Sequence, residues 1–153
     1  MENRSAAVPI IDLAAALAGD AGARRTAARE IDAACSSIGF FAITGHGIAP
    51  ELISDVVDNA RAFFRLDRSE KDRVAPPGPH DFRGYLGPDT TSLAATLGEE
   101  TPPDLCESFN VSGFDDPAVR RRATVAGYEP IFLENLWPGR PAGLRTAFED
   151  YFD

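Results

Sequence analysis

Between residues 22 and 38 the apolar side chains Ile31, Ala34, Cys35 and Ile38 recur at i, i+3, i+4 and i+7, while Arg24, Arg25, Arg29, Glu30 and Asp32 fall mostly elsewhere. That spacing predicts a helix of period 3.6 with one apolar stripe, on which Cys35 reads as a buried thiol. Gly39 stands where a left-handed residue ends such a helix. Ahead of it, residues 8–13 (VPIIDL) form a short apolar segment opened by a proline, which predicts a strand. Behind it, residues 40–44 (FFAIT) do not alternate and predict a strand covered on both faces. A long helical connection between two strands suits a parallel crossover, not a hairpin.

Gly45 and Gly47 then permit a tight turn around His46. Pro50 and Glu51 open a second helix with favoured first-turn residues, its stripe being Leu52, Val56, Ala60 and Phe63 with Ile53, Val57 and Phe64 alongside. Asp67 and Glu70 predict a capping box for a short helix over 69–74. Residues 75–103 carry six prolines and four glycines and read as loop, with one turn near 92–97. Loops of that length inside a compact domain are usually functional or disordered. Residues 105–111 (LCESFNV) alternate as a strand does, and a last helix runs from near Pro141 to the end with Leu144, Ala147, Phe148, Tyr151 and Phe152 on one face. Three strands and four helices make the class α/β or α+β. Three strands, one of them needing two covers, make a poor free-standing sheet, and the terminal aromatic stripe also asks for a partner.

Length and charge narrow the function. The 153 residues suit one ordinary domain, at 44% hydrophobic and 25% charged. Fifteen basic against twenty-four acidic residues give a net charge of −9. Nucleic acid and anionic membrane surfaces both demand a basic footprint, and the one cationic run, Arg120-Arg121-Arg122, reads as a solvated face. No apolar run approaches membrane-spanning length, and the start of the chain lacks a signal-peptide pattern. The two cysteines, Cys35 and Cys106, make no disulfide framework. A cytoplasmic location is the expectation.

Six stretches, in order, resemble the N-terminal region of the isopenicillin-N-synthase-like non-haem iron dioxygenases. They are VPIIDL, IGFFAITGHGI, LDRSEKDRV, RGYLG, DLCESFNVSG and ENLWP, the last followed by a helix ending AFEDYFD. Cys106 stands where the family usually has lysine. The resemblance covers nearly the whole chain, 1–153, and implies a non-haem dioxygenase N-terminal domain. In the family this region wraps a later double-stranded β-helix, or jelly roll, that carries a His-x-Asp…His iron triad and an Arg-x-Ser pair for 2-oxoglutarate. The complete enzyme would use Fe(II), O₂ and 2-oxoglutarate to hydroxylate or desaturate a small molecule, releasing succinate. The jelly roll, in cis or in trans, is then the implied partner.

The residues present argue against an iron site in this chain. A facial triad needs three convergent ligands, and His-x-Asp works on a strand because residues two apart point the same way. His46 is followed by Gly47 and Ile48; His80 is followed directly by Asp81 within the proline-rich stretch; there is no third histidine and no Arg-x-Ser. Neither iron nor 2-oxoglutarate is expected on this chain alone. Phosphate loops and a Cys–His nucleophile also lack their patterns. His46 reads as architecture, an imidazole serving nearby backbone, together with Gly39, Phe40, Phe41, Gly45 and Gly47. Glu107, Phe109, Trp137 and Pro138 read as fold determinants. For substrate contact the choice is Arg83 and Tyr85, which the resemblance places at the active-site mouth. A guanidinium can clamp a carboxylate and a tyrosine can add a stacking face; the alternative is an exposed Arg83 and a Tyr85 packed on the core. The expected function is the scaffold of an Fe(II)/2-oxoglutarate-dependent oxidoreductase, with a stand-alone, non-catalytic interaction module as the alternative.

Overall fold

A computed structural model of the chain describes residues 7–78, 81, 83–88, 90, 102, 105–113, 115–123, 127 and 129–152. His80 and the turn expected at 92–97 lie outside them. The chain divides into two compact units, Met1–Ala49 and Pro50–Asp153.

In the first unit β1 (Ile10–Asp12) is followed by a single-turn helix α1 (Ala14–Leu17), the long helix α2 (Ala21–Ser37) and β2 (Ala42–Thr44). The strands pair in parallel, Ile11 opposite Ile43, as the helical crossover predicts. Asp20 caps α2, its carboxylate accepting from the N–H groups of Gly22 at 2.6 Å and Ala23 at 2.9 Å. Gly39 ends the helix at φ 80°. The core is Ile11, Ala16 and Ala27, with Leu13, Ala23 and Ile31 packed on it.

Two expectations are corrected in this unit. Cys35 is exposed, because the buried line of α2 passes through Ala27 and Ala34 and residue 35 is turned about 100° further round. The FFAIT segment is not a strand covered on both faces: β2 holds only three residues, all exposed, with Phe40 at 73% and Ile43 at 42%. A non-alternating apolar run records a demand for cover on both faces, and within this unit no residue of β2 is buried.

In the second unit α3 (Pro50–Phe64) packs along α6 (Leu144–Phe152). Between them come α4 (Arg68–Lys71) running into a 3₁₀ turn (Asp72–Val74), β3 (Gly84–Leu86), β4 (Ser108–Asn110), α5 (Pro117–Ala123) and a second 3₁₀ turn (Glu129–Phe132). Strands β3 and β4 pair antiparallel, with Tyr85 opposite Phe109. The core is Phe63, Val74, Tyr85 and Leu144, wrapped by Phe64, Leu66, Phe109, Leu136 and Phe148. The Phe63 ring lies 4.6 Å from that of Phe109 and meets Tyr85 edge-on at 6.0 Å.

The loop expected over 75–103 therefore contains a strand. Gly84 makes it possible: at φ 98° any Cβ there would collide with the Val74 carbonyl oxygen. The strand expected over 105–111 shrinks to three residues, with Leu105 89% exposed. The capping box does not form: Asp67 makes no side-chain cap bond, and Glu70 pairs with Arg73 at 3.1 Å instead. Short helices α1 and α5 were not legible, being too brief for a period to register. The described residues are thus helices with a few short strands and no closed barrel. No described helix is long and apolar enough to cross a membrane.

Candidate functional site

Strand pairing in the second unit gathers a charged cluster beside an aromatic core. On β3 the Tyr85 side chain points inward, 1% exposed. Its hydroxyl donates to Glu107 Oε2 at 2.5 Å. The same oxygen accepts from Lys71 Nζ at 2.6 Å, and Nζ also donates to the Phe64 carbonyl at 3.1 Å. Hydrogen bonds from Lys71 and then Tyr85 hold the Glu107 carboxyl below its usual value, burial opposing them. Burial works to lower the Lys71 ammonium, but the bond and charge of Glu107 outweigh it and leave it raised. Burial and the Glu107 bond push the Tyr85 phenol up. At neutral pH the cluster is an ammonium and a carboxylate joined by a neutral phenol. It ties α4, β3 and β4 together.

A second polar staple holds the segment after the second 3₁₀ turn. Asp115 accepts from the Asn135 N–H at 2.8 Å and from Trp137 Nε1 at 2.6 Å. The Asn135 amide bonds Ser112 in both directions, at 2.9 and 2.7 Å. Trp137 is thereby oriented between Phe109 and Phe148, at centroid distances of 6.4 and 6.2 Å. Pro138 follows it, half-buried.

Beside this segment lies a cleft of about 420 Å³. Its apolar walls are Pro77, Phe132, Leu133 and Leu136, and its charged groups are Asp81, Arg83, Arg120 and Glu134. Arg83 is buried at 9% exposure, against the exposed alternative, and its guanidinium donates to the Ile131 carbonyl. Burial lowers its proton affinity, partly offset by the charge of Asp115. Arg120 is also drawn in: its side chain is 22% exposed and its guanidinium bonds Glu134 at 2.7 Å. The basic run is therefore not uniformly a solvated face. Arg83 and Tyr85, paired in the sequence reading, serve different neighbourhoods: one the cleft, the other the charged cluster.

In the first unit the backbone N–H of Ile48 donates to His46 Nδ1 at 3.1 Å, so the imidazole closes its own turn. Gly45 and Gly47 flank it at φ 63° and 86°, and a Cβ on Gly45 would collide with Asp12 and Ala14. Phe40 and Phe41 precede β2 with exposed rings. Among the described residues no group of three His, Cys, Asp or Glu side chains could hold a metal ion.

The model of the family described as "non-haem dioxygenase in morphine synthesis N-terminal" matches residues 8–140. The chain belongs to this family. Among relatives of the non-haem dioxygenase N-terminal family, it is similar to Validamycin A dioxygenase of Streptomyces hygroscopicus subsp. limoneus. The two are 36% identical over 142 residues, 92% of this chain and 37% of that protein. It is likewise similar to isopenicillin N synthase of Streptomyces clavuligerus, 31% identical over 154 residues, covering 97% of this chain and 43% of that one. A full-length Neurospora crassa protein, solved in complex with alpha-KG, shares the fold. Its TM-score is 0.67 at 24% identity, over 100% of this chain and 44% of that chain. This chain thus spans less than half the length of these relatives.

Of the residues that matter to this geometry, sequence reasoning missed Lys71, Asp115, Asn135 and Arg120. Three of them carried a signal: Lys71 as the one lysine in a chain that otherwise uses arginine, Asn135 within ENLWP, and Arg120 within the basic run; Asp115 carried none.

Proposed function

We propose that residues 1–153 act as the N-terminal scaffold of an Fe(II)/2-oxoglutarate-dependent oxidoreductase that hydroxylates or desaturates a small molecule. In this reading the iron, the 2-oxoglutarate site and the jelly roll come from protein outside this chain, in cis or in trans. The observation that carries it is the family match over residues 8–140 in a chain spanning 37% and 43% of two relatives' lengths. The exposure of β2 supports it: β1 buries Ile11 in the core of its unit, whereas all three residues of β2 are exposed, and a strand so placed in a two-stranded parallel pair is short of cover.

Within the scaffold Arg83 and Tyr85 are assigned to the substrate side in different ways. Arg83 lines the cleft directly. Tyr85 acts through Glu107, fixing the β3–β4 pair that Arg83 directly precedes. Gly39, Phe40, Phe41, Gly45, His46, Gly47, Glu107, Phe109, Trp137 and Pro138 are assigned to architecture.

Turnover tests the proposal. The purified chain supplied with Fe(II), ascorbate and 2-oxoglutarate is expected to form no succinate above a protein-free control. Succinate formed in proportion to chain and dependent on Fe(II) would overturn the scaffold reading.

A further inference from the structure

The charged groups of the cleft are unequal in their access to water, and that inequality points to an occupant. Arg120 keeps 22% of its side chain exposed, whereas its partner Glu134 keeps 70%. An ion pair between such partners is asymmetric. If another carboxylate took the place of Glu134, the displaced group would return to water at little cost, because it is already mostly hydrated. The guanidinium, being more enclosed, would keep a charge-assisted bond that solvent screens less.

Beside the charged groups Asp81 and Arg83, the four apolar wall residues Pro77, Phe132, Leu133 and Leu136 fit an apolar body behind that carboxylate. Leu133 and Leu136 come from the stretch whose preceding 3₁₀ turn is tied by Arg83 to the Ile131 carbonyl, and Pro77 faces them as a rigid ring. The wall is therefore preformed, as small-molecule sites usually are. At about 420 Å³ the cleft lies at the small end of the roughly 300–1,000 Å³ found for such sites. Of the three consecutive arginines, Arg121 and Arg122 are exposed and only Arg120 is turned to the cleft wall.

We propose that this cleft binds a small, largely apolar monocarboxylate, whose carboxylate displaces Glu134 from Arg120. Glu134 is then a competitor for the site as well as a surface partner. This rests on the scaffold reading only in taking the occupant for substrate; the binding itself needs neither iron nor a second domain.

Phenylacetate, with its uncharged isostere 2-phenylacetamide, probes the site by titration of the full chain under ligand-observed NMR. Phenylacetate is expected to bind at least ten-fold more tightly than the amide. Glu134→Gln is expected to tighten phenylacetate several-fold, and Arg120→Gln to weaken it ten-fold or more. Circular dichroism checks that both variants fold; should Arg120→Gln not fold, the Glu134→Gln arm decides alone. A purely structural ion pair predicts that both variants act in the same direction. That result, equal binding of acid and amide, or no binding by the wild-type chain, would overturn the proposal. Because succinate formation is read separately and with iron, the failure of either proposal is recognised without reference to the other.

Discussion

Lys71 shows how much one side chain can hide in a sequence. It is the single lysine beside fourteen arginines, and it is 7% exposed. Its neighbours explain the choice. The ammonium serves a carboxylate at 2.6 Å, a carbonyl at 3.1 Å and the face of Tyr85 at 5.2 Å, a set of divergent partners that suits a compact point charge better than a planar fork. Lys71→Met should lower stability by roughly 2–3 kcal/mol, less than the 3–5 of a fully enclosed pair, because the Glu107 side chain keeps 31% exposure. Urea midpoints measure it. The pH dependence has a definite sign. The depressed Glu107 carboxyl contributes stability that is present above its unfolded pKa and lost as pH falls through its lower folded value. The raised Lys71 contributes stability present below its unfolded pKa and lost as pH climbs through the folded one. The gap in urea midpoint between wild type and Glu107→Gln should accordingly be wider at pH 7 than at pH 3.5; a constant gap contradicts the assignment. In sequence Glu107 was legible as part of DLCESFNV, but its partners 22 and 36 residues away were not, since no local pattern encodes who meets whom.

Among elements, length decided what could be read. Helices α2, α3 and α6 each run long enough for a stripe to repeat, and all three lie within a few residues of their expected bounds. Strands of three residues hold barely one alternation, so β3 vanished among prolines and glycines while β4 was read too long. What fixes these short strands is packing. Phe63, fully enclosed on α3, presses its ring against Tyr85 of β3 and Phe109 of β4. Phe63→Ala should therefore cost roughly 3–5 kcal/mol and loosen the strand pair as well as the helix. Amide hydrogen exchange reads both effects: faster exchange confined to α3, with β3 and β4 still protected, would show that the aromatic contact is incidental.

At the scale of the molecule, the sequence carried its family more clearly than its folded contacts. Six short stretches in order sufficed for the resemblance, and the family match over residues 8–140 agrees with it. The cleft was out of reach, because its walls come from Pro77, Asp81, Arg83, Arg120, residues 132–134 and Leu136, and only folding brings them together. A net charge of −9 and exposed Phe40, Ile43, Tyr151 and Phe152 describe a chain with acidic surface and bare apolar positions. Iron is where the account is most exposed to test. Anaerobic equilibrium dialysis of the purified chain against Fe(II) should find no saturable site at micromolar metal. One equivalent of iron retained per chain, and released by His46→Ala or His80→Ala, would contradict it.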